Sequence, residues 1–210
     1  MNKQKVTEFF TRLRSLNPEP KGELEHKDPY TLLVAVVLSA QATDAGVNKA
    51  TPGLFALADT PKKMATLSVE QIQDKIKTIG LYKAKAKNVK KLSEMLVAEH
   101  NGEVPEDLDA LVKLPGVGRK TANVVLNMAF GHHTMAVDTH VFRVGNRTGL
   151  AKAKTVEETE RKMVKKIPDE FMLHAHHWLI LHGRYVCKAR KPDCPNCVVS
   201  DLCSFKQKTV

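Results

Sequence analysis

Apolar residues recur every three or four positions along almost the whole chain, and this periodicity restricts the fold more than any other feature. It predicts helices over residues 6–16, 30–42, 69–79, 83–100, 118–130, 156–166 and 171–182. Sustained alternation with a period of two is absent, so the fold class expected is all-α. Proline and turn chemistry place breaks at Asn17-Pro18-Glu19-Pro20, Pro52-Gly53, Thr60-Pro61, Asn101-Gly102 and Ile167-Pro168-Asp169. Residues 30–38 are apolar all round, as a central buried helix would be. A faint internal echo links residues 79–86 and 115–122, each placing a glycine turn before a helix.

With 210 residues the chain is long enough for one large domain or two small ones. Its 42% apolar and 27% charged residues exclude a disordered chain. The longest apolar run, residues 32–38, is too short to cross a bilayer, and the start, Met1-Asn2-Lys3-Gln4-Lys5, lacks the apolar stretch of a secretory signal. A cytoplasmic protein is expected. The net charge of +10 fits either a polyanionic partner such as nucleic acid or a surface kept basic for solubility.

All four cysteines, Cys187, Cys194, Cys197 and Cys203, fall within the last 24 residues. Without an export signal two disulfides are a weak reading, and the bunching points to metal or cluster ligation. Only Cys194 and Cys197 form a close pair, unlike the two close pairs common in zinc ribbons, and the spacing is not that of a ferredoxin. Spacing by itself leaves zinc and an iron–sulfur centre both open. His174, His176, His177 and His182 do not share one helix face, so packing and surface roles are expected for them.

The sharpest local motif is Leu114-Pro115-Gly116-Val117-Gly118-Arg119-Lys120-Thr121-Ala122. An apolar helix (Leu108, Leu111, Val112) enters a tight turn and a second one (Ala122, Val125, Leu126, Ala129) leaves it. The paired glycines permit positive φ and close approach by a ligand, and the second helix offers free amides and the positive end of its dipole. That combination suits a phosphate and reads no base edges; a plain interhelical turn is the alternative. Lys120 lies in the first helical turn, where the dipole and Arg119 disfavour positive charge, which suits an amine nucleophile. A second phosphate contact is the blander role for it. Asp138 precedes another apolar-periodic helix, either as a simple N-cap or as a functional carboxylate fixed by capping.

Taken together, residues 114–120, then Val137-Asp138-Thr139-His140 with the aspartate eighteen residues after Lys120, then Cys-x6-Cys-x2-Cys-x5-Cys closely resemble the bacterial endonuclease III family, within the helix–hairpin–helix superfamily of DNA glycosylases. The likeness runs from about residue 8 to residue 203 and includes residues 38–44 and 177–184. The resemblance implies two all-α domains with a cleft between them. Residues 22–132 would form a helical barrel containing the helix–hairpin–helix (about 108–130); residues 1–21 and 133–210 would form the second domain, with a C-terminal [4Fe–4S] cluster loop held by the four cysteines. It further implies base-excision repair by a bifunctional glycosylase and abasic-site lyase. Lys120 would be the nucleophile and Asp138 its partner across the cleft. Gln41 and Leu81 would fill the space left by an extruded nucleotide, and His140 would lie at the DNA interface. Gly116, Gly118 and Arg119 would bind backbone phosphate, and Lys188, Arg190 and Lys191 would contact it from the cluster loop, where a solvated basic loop is the alternative. The partner implied is double-stranded DNA carrying damaged, chiefly oxidised, pyrimidines or abasic sites. A monomer working at the nucleoid is expected. Two rivals remain at this point: an adenine-mismatch glycosylase of the same superfamily, and a non-catalytic DNA-binding module.

Overall fold

A computed structural model describes residues 1–209. It contains eleven helices and no strand among the described residues: α1 (Lys3–Leu16), α2 (Pro29–Ser39), α3 (Asp44–Phe55), α4 (Pro61–Thr66), α5 (Val69–Ile76), α6 (Tyr82–Glu99), α7 (Leu108–Lys113), α8 (Arg119–Phe130), α9 (Thr139–Thr148), α10 (Val156–Lys166) and α11 (Asp169–Tyr185). The all-α expectation holds. None of these helices is long and apolar enough to cross a membrane.

The chain divides into two compact units, one spanning Gly22–Gly131 and the other combining Met1–Lys21 with His132–Val210. In the central unit α2 is the axis. Every residue from Tyr30 to Leu38 is buried, and the helix packs on α3, α6 and α8. It starts sharply because Asp28 and Thr31 form a reciprocal capping box ahead of Pro29. It ends three residues earlier than its apolar pattern predicts: Ala40 leaves the helical path at ψ 117°, and Gln41 follows with a positive φ of 54°. Helices α4 and α5 lie on α6, and α7 on α8. Lys85 of α6 is buried with no hydrogen-bond partner for its ammonium among the described residues, and that burial pushes its pKa down.

One expected break fails in this unit, and one helix lacks a sequence signal. Pro52-Gly53 does not end a helix: α3 runs through it, and the Pro52 carbonyl still accepts from the Ala56 amide at 2.9 Å. Burial of Thr51 and Leu54 outweighs the one donor that proline removes. Helix α4, at six residues, is too short to show a periodic stripe and was not foreseen.

The other unit is built on α11, which carries α1 and α9, with α10 against α9. Its core is aromatic. Phe10 stacks on Phe171 at 5.7 Å, Trp178 stands 6.2 Å from both, and Phe9 meets Phe10 edge-on. Trp178 donates its indole N–H to the Asn17 carbonyl at 2.7 Å, tying the end of α1 to α11. Arg12 reaches the far end of the chain, bonding the Val198 carbonyl and Asp201.

Candidate active site

The hairpin in the central unit spans residues 114–118 between α7 and α8. Leu111, Leu114 and Val117 are buried and anchor it from within, whereas Val112 is exposed rather than part of the core. Gly116 has φ +81°, and a Cβ there would lie 2.9 Å from the Asn88 Nδ2 atom and 3.1 Å from its Cβ. Both facts demand glycine. Gly118 differs from expectation: it is the N-cap of α8 with an ordinary extended backbone (φ −91°), and open space lies where its side chain would be. Its lack of a side chain leaves the first turn of α8 without a side-chain cap, with the opening amides accessible to an anion. Arg119 and Lys120 follow as the first two residues of α8, and both side chains are exposed.

The internal echo does not extend to backbone geometry. The N-cap of α6 is Leu81, a non-glycine residue at φ 61°, whereas Gly118 caps α8 in extended conformation. Leu81 is 60% exposed, unusual for a leucine in a conformation that costs about 1–2 kcal/mol. Gln41 shares the left-handed conformation, is also exposed, and adjoins the same turn: a Cβ on Gly80 would lie 3.6 Å from the Gln41 carbonyl oxygen. Two strained residues therefore project from adjacent turns of one unit. Strain of this kind persists where the surroundings over-determine it, and it concentrates at working sites.

In the other unit, Asp138 caps α9. Its Oδ1 accepts from the His140 and Val141 amides, both at 2.8 Å, and Oδ2 lies 3.1 Å from His140 Nδ1. Burial works to raise the carboxyl's pKa; the Val141 amide and the His140 and His176 charges outweigh it, and the net shift is downward. His140 is thus a holder of Asp138 as well as a half-exposed surface group. Its backbone presses on α11 at Gly183, where a Cβ would stand 2.8 Å from His140 Cβ. Only glycine lets the two helices approach that closely.

The four cysteines, none in a disulfide, line one cavity. Burial, then mutual repulsion between thiolates, pushes the Cys197 and Cys203 thiols up, so a cationic centre is needed to hold them ionised. Among the described residues no three His, Cys, Asp or Glu side chains converge on a point suited to one metal ion. Four thiols lining one cavity fit a metal or cluster centre. Donors to sulfur are present too: the Phe205 amide lies 3.4 Å from Cys203 Sγ and Arg147 Nη1 lies 3.8 Å from Cys187 Sγ.

Sequence reasoning missed several groups here. Arg147 also holds the Lys188 and Ala189 carbonyls, and Arg143 holds those of Gly183 and Cys187, so α9 fixes both α11's end and the loop. His182, assigned only packing or surface duty, is buried beside the cavity with Nε2 at 3.7 Å from Cys197 Sγ, and burial lowers its pKa to about 4. The arginine contacts join residues 40 to 44 positions apart and the His182–Cys197 contact residues 15 apart, and nothing local announces them. Lys188, Arg190 and Lys191 are all exposed on the loop, Lys191 at a positive φ of 49°.

Residues 34–169 match the family model of the HhH-GPD superfamily of base excision DNA repair proteins, and residues 187–203 match the iron–sulfur binding domain of endonuclease III. The chain is 59% identical to endonuclease III of Escherichia coli strain K12 and 57% identical to that of Haemophilus influenzae, each over 208 residues and 99% of both chains. Among solved structures, a trapped endonuclease III–DNA covalent intermediate is 47% identical with a TM-score of 0.91, covering 97% of this chain and 96% of that one. A thermostable thymine-DNA glycosylase, 25% identical, matches with a TM-score of 0.85 over 96% of each chain.

Proposed function

Because the chain belongs to the HhH-GPD superfamily of base excision DNA repair proteins, as a DNA glycosylase of the endonuclease III family, we propose that it is bifunctional, excising oxidised pyrimidines from duplex DNA and cleaving the strand 3′ to the resulting abasic site. The observation that carries this reading is Lys120: an exposed amine in the first turn of α8, directly after a hairpin open to phosphate. A similar protein has been trapped as a covalent intermediate with DNA, which supports a nucleophile in this family member as well.

The hairpin amides hold a backbone phosphate of the damaged strand. The target nucleotide rotates out of the stack, and Leu81 and Gln41 occupy the space it leaves. Their fixed, strained turns make them rigid fillers, so little ordering entropy opposes insertion. Lys120 Nζ, having lost a proton, attacks the anomeric sugar carbon, and the glycosidic electron pair leaves with the base, which takes up a proton. The attached nitrogen then loses a proton and the ring oxygen gains one, the carbon–ring-oxygen bond breaks, and an iminium is left between Nζ and that carbon. The iminium acidifies the neighbouring carbon's proton, and removal of that proton expels the 3′ phosphate.

Asp138 remains ionised at neutral pH, since its pKa is lowered and three donors surround it. A carboxylate so held is a poor proton acceptor and a good fixed negative charge. Its role is to stabilise the cation-like sugar as the base departs, more than to deprotonate Lys120. The segment 187–203 is an iron–sulfur binding domain, and we read its centre as [4Fe–4S] on Cys187, Cys194, Cys197 and Cys203. That group, when bound, supplies a cross-brace for the C-terminal loop. The brace presents Lys188, Arg190 and Lys191 to DNA phosphates. The enzyme acts as a monomer at the nucleoid.

Borohydride trapping on a duplex containing thymine glycol, run beside Lys120→Ala, tests this. A covalent adduct is expected from the wild type and none from the variant, whose strand cleavage falls by at least about a thousandfold. An adduct that survives in Lys120→Ala refutes the assignment. Tight duplex binding with no adduct in either protein would mean that Lys120 is a phosphate contact only.

A further inference from the structure

The contact between Gly116 and Asn88 is not accounted for by packing alone. Asn88 lies on α6, at the edge of the face that buries Ala86 and Val89, and is itself half-buried. Its carboxamide abuts the turn at Gly116 so closely that no other residue fits there. Yet among the described residues the Asn88 side chain has no hydrogen-bond partner. A carboxamide held against the turn, committed to no group of the described residues and reachable from solvent, is placed to donate to a ligand seated at that turn.

We propose that Asn88 is a DNA-binding residue, its Nδ2 donating to the same strand phosphate that the hairpin amides hold. The inference rests on the reading of the hairpin as a phosphate site and adds to it a donor from a different helix. It also has a geometric corollary. Leu81 caps the N-terminus of α6 and Asn88 follows seven residues later on that helix. At about 1.5 Å of rise per residue, the wedge and this phosphate donor are held roughly 10 Å apart along one rigid element. Asn88 thereby sets the register between the point where the strand is gripped and the point where it is opened.

The test is binding to a duplex bearing a tetrahydrofuran abasic-site analogue, with each phosphate flanking it replaced in turn by a neutral methylphosphonate. Asn88→Leu should weaken binding to the unmodified duplex by roughly tenfold, the loss of one hydrogen bond to a charged acceptor. Its salt dependence should match wild type, because a neutral donor releases no counterion. Asn88→Asp, which keeps the shape and puts a negative charge beside the phosphate, should lose more. At one methylphosphonate position the difference between wild type and both variants should collapse, and that position should be among those that weaken the wild type. If the variants bind like wild type, or if their deficit is the same at every position, Asn88 touches no phosphate and the inference fails while the hairpin reading stands. If no position weakens the wild type, the hairpin reading itself is wrong and the inference falls with it.

Discussion

The two units of this molecule are stabilised in different ways. The central unit, Gly22–Gly131, has an almost wholly aliphatic core around α2, where Leu33, Val34, Ala35 and Leu38 are completely buried. The other unit relies on Phe9, Phe10, Phe171 and Trp178, on arginines that reach backbone carbonyls, and on four cysteines around a cavity. One unit draws its order from mainly aliphatic side chains, whereas the other adds to its aromatic core a segment that matches an iron–sulfur binding domain. The division matches the proposed labour: the aliphatic unit carries the two strained turns and the hairpin, which must stay rigid, and the braced unit carries the carboxylate and the basic loop.

Loss of the iron–sulfur centre should break this comparison most severely. Structural metal sites contribute roughly 10 kcal/mol of apparent binding energy to folding. Cys197→Ser, or chelation, should therefore strip hydrogen-exchange protection from α9 and α11 by more than about 5 kcal/mol. The helices of residues 22–131 should keep theirs, and an even loss across both units would show that they do not fold separately. Leu33→Ala sharpens the contrast from the other side. Its side chain is fully buried, and a leucine truncation in a close-packed core costs about 2–5 kcal/mol. Protection should fall in α2, α6 and α8, with the visible absorption of the cluster unchanged.

The smallest effect on stability, and a large one on chemistry, is expected from Asp138→Asn. Asparagine caps a helix about as well as aspartate, so unfolding at neutral pH should shift by less than about 1 kcal/mol. Excision should slow by about a hundredfold or more while duplex binding persists. The pH dependence gives a second check. A carboxyl whose folded pKa is depressed stabilises the fold above its unfolded value, about 3.9, and that contribution disappears as pH falls through the folded value. The wild-type advantage over Asp138→Asn in a pH series should be full at neutral pH and vanish in acid. A constant gap would contradict the downward shift.

The sequence makes some of this legible and conceals the rest for physical reasons. Helix α2 could be read because residues apolar on every side leave few alternatives to burial, and α8 because its hairpin and stripe agree. Helix α3 was hidden by Gly46, Pro52 and Gly53, whose local preferences yield to tertiary packing. Lys120, Asp138 and the cysteines stand in motifs whose chemistry is local. Asn88, Arg143, Arg147 and His182 act on partners distant in sequence, and their spacing carries no signal. Even within the hairpin, the residue types alone did not reveal that only Gly116 uses the freedom of glycine in its backbone.

The braced unit is assembled from both ends of the chain, residues 1–21 and 132–210. This has a consequence for biosynthesis. A ribosome adding about 5–20 residues per second delivers the central unit complete while α1 still has no α11 to cover Phe9 and Phe10. At that pace those rings wait roughly 9–35 s for α11, and Cys203 is added later still. The four cysteines that would hold the centre are therefore added only after the central unit and α11 have been made.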